Sequence, residues 1–341
     1  MAKQRDRVLD ALKLFAIFLV LWGHCIQHLL SSNPSEEPLY RIIYSFHMPL
    51  FMALVGFFSG SLLKLDFRAM LLKKGRQLIL PALTFGFIIF ILCLLEYDLA
   101  TGLWEWYSSL WFLKSAFICC VIYYLCFRYI KSALLAVIVS LVISQLISPF
   151  KVDLMYPCFL FGLFINYRLD YIRKRCGTIA IGSAILFITM LLFWDSGFWA
   201  VPTKGDVVKS LPQLSVAMEY IYKVGYRIVI GLTGTLFFIA LFEYLSIKLN
   251  IPGKAKSLSH LGEETLGIYL LQTLVLEILL RRYLSFDAID SWLFNIVVAP
   301  VLSLILLVIC HYIIVLIKRS RLLSFLCLGQ ERSSGHNHRV S

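Results

Sequence analysis

Residues 7–30 read RVLDALKLFAIFLVLWGHCIQHLL, and this stretch decides what kind of protein the chain is. The run matches the ~20 residues that an α-helix needs to cross the ~30 Å of a bilayer's hydrocarbon core. It nevertheless carries Asp10, Lys13, His24 and His28. Eleven residues separate Lys13 from His24, and eleven steps of ~100° end about 20° past three full turns. On the same wheel Asp10 lies ~60° from Lys13, and His28 lies ~40° from His24. Charged groups at the centre of a span cost roughly 2.5–3.5 kcal/mol, so this polar stripe must face protein or water rather than lipid. Lys13 and His24 sit ~16 Å apart along the axis, a cation near one membrane face and an imidazole towards the other.

The rest of the chain repeats this apolar habit. Of its 341 residues 60% are apolar and 15% charged, with a mean hydropathy of +0.82. Soluble domains average roughly 25% charged residues, so there is too little polar surface here to cover a water-soluble globule. The sequence predicts an all-α fold, a polytopic membrane helical bundle of about ten transmembrane helices. The expected spans are 8–30, 42–63, 78–96, 111–130, 133–149, 154–167, 177–195, 228–247, 265–280 and 291–317. The net charge of +12 does not indicate a nucleic-acid partner, because the basic residues form short clusters between apolar runs. With both termini cytoplasmic, 23 of the 32 Lys and Arg fall on the inner side, as the positive-inside rule requires. No small-residue cleavage site follows the first run, which is expected to stay as an uncleaved helix. The nine cysteines include no CxxC pair and read as small apolar side chains rather than a disulfide framework. Residues 1–328 are expected to form one membrane domain, 329–341 a disordered cytoplasmic tail, and the outer segment 196–227 a cap or lid.

Several polar residues ask for a role. His24 serves either an interhelical hydrogen bond or chemistry, and the helix alone weighs these evenly. His47 begins the second helix in RIIYSFHMPLF, and a short connection makes the two helices antiparallel neighbours. Both imidazoles then lie ~8–9 Å below the outer boundary. Pro49 frees a carbonyl beside them and favours a cavity. No third ligand stands beside these two histidines in the sequence, so no metal site is expected. The loop KLDFRAMLLKKGRQLILP is rich in Lys and Arg, which ordinary topology bias explains, or a phosphate site in which Arg and Lys bind the anion. On the outer side, LWEWYSSLWF offers Trp104, Glu105, Trp106, Tyr107 and Trp111 as belt aromatics or as a sugar-binding surface. Glu243, Gln272, Glu277 and Asn295 read as interhelical hydrogen-bonding groups.

Taken together, these segments resemble the acyltransferase-3 family of integral membrane acyltransferases, and most of all its bacterial branch of fucose 4-O-acetylase-like and surface-polysaccharide O-acetyltransferases. The resemblance begins at RVLDALKLFAIFLVLWGHCIQ, with Lys13 and His24 at the family's basic-x10-His spacing. It continues through SFHMPLFMALVGFFSG, Lys73-x-x-Arg76 before LILP, SSLWFLKSAF and LGEETLGIYLLQ. The last block departs from the pattern, with Gln272 where the family often has His. The resemblance implies transfer of an acyl group, usually acetyl, from cytosolic acyl-CoA to a hydroxyl of an extracytoplasmic glycan or glycolipid across the bacterial cytoplasmic membrane. It implies His24 and His47 as catalytic residues, and Lys13, Lys73 and Arg76 as donor-binding residues. Trp111 and Glu105 would then face the acceptor. No Ser-His-Asp or catalytic Cys pattern is present, so direct transfer with a histidine base is the simpler mechanism. An exporter or flippase of a glycan or lipid-linked sugar is the alternative from another class, and a receptor or partner subunit a third.

Overall fold

A computed structural model describes residues 7–147, 149–194, 196–198, 204, 214–249, 262 and 264–330. The tail 331–341 and most of the expected cap lie outside these residues. Every regular element among them is helical. In chain order the helices are α1 (Arg7–Leu29), α2 (Pro38–Phe57), α3 (Phe67–Lys74), α4 (Leu80–Glu96), α5 (Leu99–Ser108), α6 (Trp111–Tyr129) and α7 (Ala133–Leu146). They continue with α8 (Val152–Tyr167), α9 (Leu169–Lys174), α10 (Cys176–Leu192), α11 (Leu214–Lys248), α12 (265–283), α13 (Ala299–Ile317) and α14 (Arg321–Leu328). A π-helical turn, Gly75–Ile79, leads into α4, and Thr273–Leu280 within α12 is also π-helical.

Among the described residues six helical stretches are long and apolar enough to cross a membrane: Val8–Leu29, Pro38–Lys64, Phe67–Glu96, Trp111–Tyr129, Leu214–Lys248 and Ser291–Ile317. Two shorter apolar helices, α7 and α10, accompany them. Large apolar side chains point outward along the bundle, among them Leu134, Ile138 and Val142 of α7, Ile181, Ile185 and Ile188 of α10, and Leu304 and Val308 of α13. In water these faces would be a liability, but in a bilayer they are the solvated surface. The chain is a multi-pass membrane protein. All nine cysteines are free and buried, as small packing side chains.

The outer cap expected over 196–227 is partly helix instead. Residues 214–227 continue α11, which runs for 35 residues. The reason is local: LSVAMEYIYKV is made of helix-tolerant residues without Pro, and Glu219 pairs with Lys223 one turn on at 2.7 Å. Where the sequence suggested a boundary, only the apolar content changes, not the helical backbone.

Small residues set the tightest crossing. A side chain on Gly56 of α2 would collide with the backbone of Phe159, and one on Gly162 of α8 with the backbone of Ala53. Backbone-to-backbone contact of this kind gives membrane helices the packing that lipid, as apolar as the side chains, cannot drive. Gly23 does the same on a smaller scale: a Cβ there would lie 2.6 Å from the Tyr44 ring, so α1 and α2 close together beside His24.

One end of the bundle holds a set of ion pairs. Arg173 Nε lies 3.1 Å from Glu243 Oε1. Glu264 receives His311 Nδ1 at 2.6 Å and Lys318 Nζ at 2.5 Å. Asp10 and Lys13 belong to the same end, since Gly262 packs on the Asp10 backbone.

Candidate active site

Towards the other end of the bundle lies a cavity of about 350 Å³. One wall carries His24 and His28 of α1, Tyr44 and His47 of α2, and Glu277 of α12. Trp111 and Glu105 line the same cavity, as do Lys151 and Arg227. His24, His47, Glu105 and Trp111 are thus brought together in one space, whereas Trp104, Trp106 and Tyr107 are exposed and do not line it.

His24 Nδ1 lies 3.2 Å from Glu277 Oε1. The ring is not turned to give an aligned hydrogen bond, and Nδ1 has no other partner among the described residues. Catalytic hydrogen bonds commonly tighten only once substrate is bound. His28 stacks on His24 with ring centroids 5.5 Å apart, and its buried Nε2 has no hydrogen-bond partner among the described residues. His47 is buried, and its Nδ1 lies 2.7 Å from the Ile43 carbonyl oxygen. That acceptor requires a proton on Nδ1, which leaves Nε2 as the accepting nitrogen. The Tyr44 ring meets His47 edge-on at 4.4 Å, and its hydroxyl donates to Gln27 Oε1 at 2.6 Å.

Glu277, read from the sequence only as an interhelical hydrogen-bonding group, lines the cavity beside His24. It sits five positions after Gln272, and five α-helical steps would separate the two by about 140°. The π-helical winding of Thr273–Leu280 brings them to one face, where Gln272 Nε2 donates to Glu277 Oε1 at 3.1 Å and to Thr273 Oγ1 at 2.9 Å. Gln272 is fully buried, so it contributes a hydrogen bond that fixes the carboxylate. π-Turns within α-helices recur at functional sites. His24, His28 and Glu277 place their ligand atoms within 4.8 Å of one another, a three-ligand cluster that the sequence did not show and that His47 does not join. A divalent cation would fit such a donor set. The same residues also work as a histidine oriented by a carboxylate.

A second cavity of about 300 Å³ lies below the first, lined mainly by Phe51, Val55, Leu78, Phe112 and Leu266. Met48 and Tyr269 stand in the walls of both. Gln77 and Gly329 also line the lower cavity. Arg76 precedes Gln77, and its carbonyl packs so closely on Gly329 that only glycine fits there, at φ +63°. Arg76 is therefore beside the lower cavity, and Lys73 is exposed three residues before it. Lys13 is placed differently from the other candidates. Its ammonium lies 3.3 Å from Asp10 Oδ1 and 4.4 Å from the centre of the Phe58 ring, and it lines neither cavity. The charged pairing that holds it is only one turn away along α1.

Comparison with known proteins follows the same lines. The Acyl_transf_3 model, an acyltransferase domain, matches residues 6–316. The chain belongs to this family. It is also similar to the nodulation protein NolL of Sinorhizobium fredii (strain NBRC 101917 / NGR234), with 37% identity over 86 residues, 24% of each chain. The NolL of Mesorhizobium japonicum (strain LMG 29417 / CECT 9101 / MAFF 303099) is 37% identical over 92 residues, 26% of this chain and 25% of that protein. The alignments thus span about a quarter of these two relatives. No solved structure matches the chain.

Proposed function

We propose that the protein moves an acyl group, acetyl in the simplest case, from cytosolic acyl-CoA to a hydroxyl of a glycan or glycolipid outside a bacterial cytoplasmic membrane. The observation that carries this reading is the pair of cavities sharing Met48 and Tyr269, with His24 and Glu277 in one and Arg76 beside the other. The lower, largely apolar cavity suits the pantetheine arm, and Arg76 with Lys73 would hold CoA phosphates outside it. The arm rises along α2, past Val55, Phe51 and Met48, rather than along the Lys13–His24 stripe of α1. Val55 and His47 are ~12 Å apart along that helix.

In the upper cavity the acceptor hydroxyl meets the thioester beside His24. With its Nδ1 proton facing Glu277, His24 accepts the hydroxyl proton at Nε2 as the oxygen attacks the acyl carbon. The C–S bond then breaks, and the imidazolium returns the proton to the departing thiolate. Glu277 orients the ring and stabilises its transient charge, as a carboxylate does in triads. His47, with Nδ1 committed to Ile43, presents Nε2 to position the hydroxyl. Glu105 and Trp111 offer a carboxylate and an aromatic face to the sugar. Family membership favours this chemistry over export, since an exporter leaves the thioester intact.

Single-turnover acyl transfer by purified, folded protein tests the proposal. General-base catalysis typically contributes 10²–10⁴-fold, so His24→Ala is expected to slow transfer by about that factor while CoA affinity stays within twofold of wild type. Transfer at near wild-type rate by His24→Ala would refute the base assignment.

A further inference from the structure

The reaction proposed above uses His24, Glu277 and His47, and leaves His28 without a part. His28 nevertheless lies four residues after His24 on the same face of α1, the spacing at which two helical histidines share one metal ion. Its Nε2 is buried and meets no hydrogen-bond partner among the described residues. His24 Nδ1, 3.2 Å from Glu277 Oε1, is likewise buried without an aligned partner there. A buried nitrogen left unpaired is costly, and here two of them flank one carboxylate.

The trio is assembled from two elements. α1 supplies both imidazoles, and the π-helical part of α12 supplies the carboxylate, which Gln272 holds by a 3.1 Å hydrogen bond. The three ligand atoms lie within 4.8 Å of one another. Zn²⁺ holds nitrogen and oxygen ligands at about 2.0–2.2 Å, hence ~3.4 Å apart in a tetrahedron, so binding draws the trio in by ~1 Å. Two imidazoles and one carboxylate suit Zn²⁺ better than Mg²⁺ or Ca²⁺, which prefer oxygen alone. Arg281, four residues after Glu277, acts electrostatically on both His28 and Glu277 and opposes a cation, but it pairs with neither among the described residues. A metal bound at His24 Nδ1 takes the place of the proton that faces Glu277. That proton moves to Nε2, with none released, and Nε2 then has no lone pair for the acceptor hydroxyl.

We propose that His24, His28 and Glu277 form an inhibitory site for a divalent transition-metal cation, Zn²⁺ by its donor set, whose binding switches acyl transfer off. The inhibition rests on the reading of His24 as the base; the binding of the cation does not.

Titration of chelator-treated protein in nanodiscs with Zn²⁺, against a chromophoric competitor and in parallel with single-turnover transfer, tests both parts. Zn²⁺ is expected to bind at micromolar concentration or below and to slow transfer at least tenfold over the same range, and chelator is expected to restore the rate. Mg²⁺ at the same concentrations is expected to do neither. His28→Gln is expected to weaken Zn²⁺ binding at least tenfold and to move inhibition to correspondingly higher Zn²⁺, with metal-free transfer within threefold of wild type. Glu277→Gln removes a ligand from the other helix and is expected to weaken binding likewise. His336 and His338 near the C-terminus are a rival metal-binding pair, so their double replacement by Ser is expected to leave Zn²⁺ affinity unchanged. Loss of the site in that double variant, or equal inhibition of wild type and His28→Gln, overturns the proposal. So does wild-type protein that binds no Zn²⁺ while transferring acyl groups, or transfer that Zn²⁺ accelerates. Binding that depends on His28 and Glu277 but leaves the rate untouched overturns the inhibition and His24 as base together. Absence of transfer under every condition, with that binding intact, sinks the reading of the reaction and the inhibition with it, and the cation site alone stands.

Discussion

His24 shows how much a side chain's role depends on its neighbour. An imidazole on an apolar helix is ambiguous alone, but a carboxylate 3.2 Å from Nδ1 gives it a direction. Glu277→Gln keeps the shape and removes the charge. A charge-assisted contact is worth roughly 1.5–3 kcal/mol, so single-turnover transfer is expected to fall by about 10- to 150-fold. On the proposed histidine-base mechanism, dialysis against a chelator is expected to leave transfer unchanged. Loss on chelation and recovery with Zn²⁺ would instead make His24, His28 and Glu277 a catalytic metal centre.

At the scale of elements, the crossing of α2 and α8 makes the firmest demand on sequence. Gly162→Ala would drive a methyl group into the Ala53 backbone, and overpacking of this kind costs roughly 1–3 kcal/mol. The thermal midpoint of the protein in detergent is expected to drop by several degrees, while Gly182→Ala, where nothing lies within 4 Å, is expected to leave it unchanged. Equal midpoints for the two variants would mean that the crossing relaxes freely. These elements also show what the sequence discloses. The apolar runs, the His24 stripe and the facing position of His47 follow from helix length and periodicity, which dominate in a membrane because every backbone group must be satisfied within its own helix. The Gln272–Glu277 partnership is hidden because it exists only on a π-helical pitch, and residues five apart look unrelated on an α-helical wheel. Lys151 is hidden for a similar reason, since its place in the cavity depends on two consecutive left-handed residues, Phe150 and Lys151, that no composition signals. Glu277 could be suspected only as an acid in an otherwise apolar run. The length of α11 was masked by reading hydropathy, which ends where the apolar residues end, instead of helix propensity, which continues.

For the whole molecule, the division into two ends makes topology a functional statement. The cavity end holds His24, Glu277, Lys151 and Arg227, and the opposite end holds Arg173, Glu243, Glu264 and Lys318. If the second end faces the cytoplasm, donor and acceptor approach from opposite sides and meet at Met48 and Tyr269. That arrangement predicts sidedness, and the basic residues support it, since α3 and its flanks carry Lys64, Arg68, Lys73, Lys74 and Arg76. All nine native cysteines are buried, so a depleted background needs only small, packing-sized replacements. In that background Arg68→Cys and Ser32→Cys introduce thiols at exposed positions on opposite sides of α2. An impermeant maleimide added to intact cells is expected to label Cys at position 32 and to reach position 68 only after the membrane is opened. Labelling of position 68 in intact cells, with position 32 protected, would invert the molecule. The Lys73–Arg76 pair would then face away from cytosolic acyl-CoA, and the donor path through the lower cavity would have to be abandoned along with the orientation.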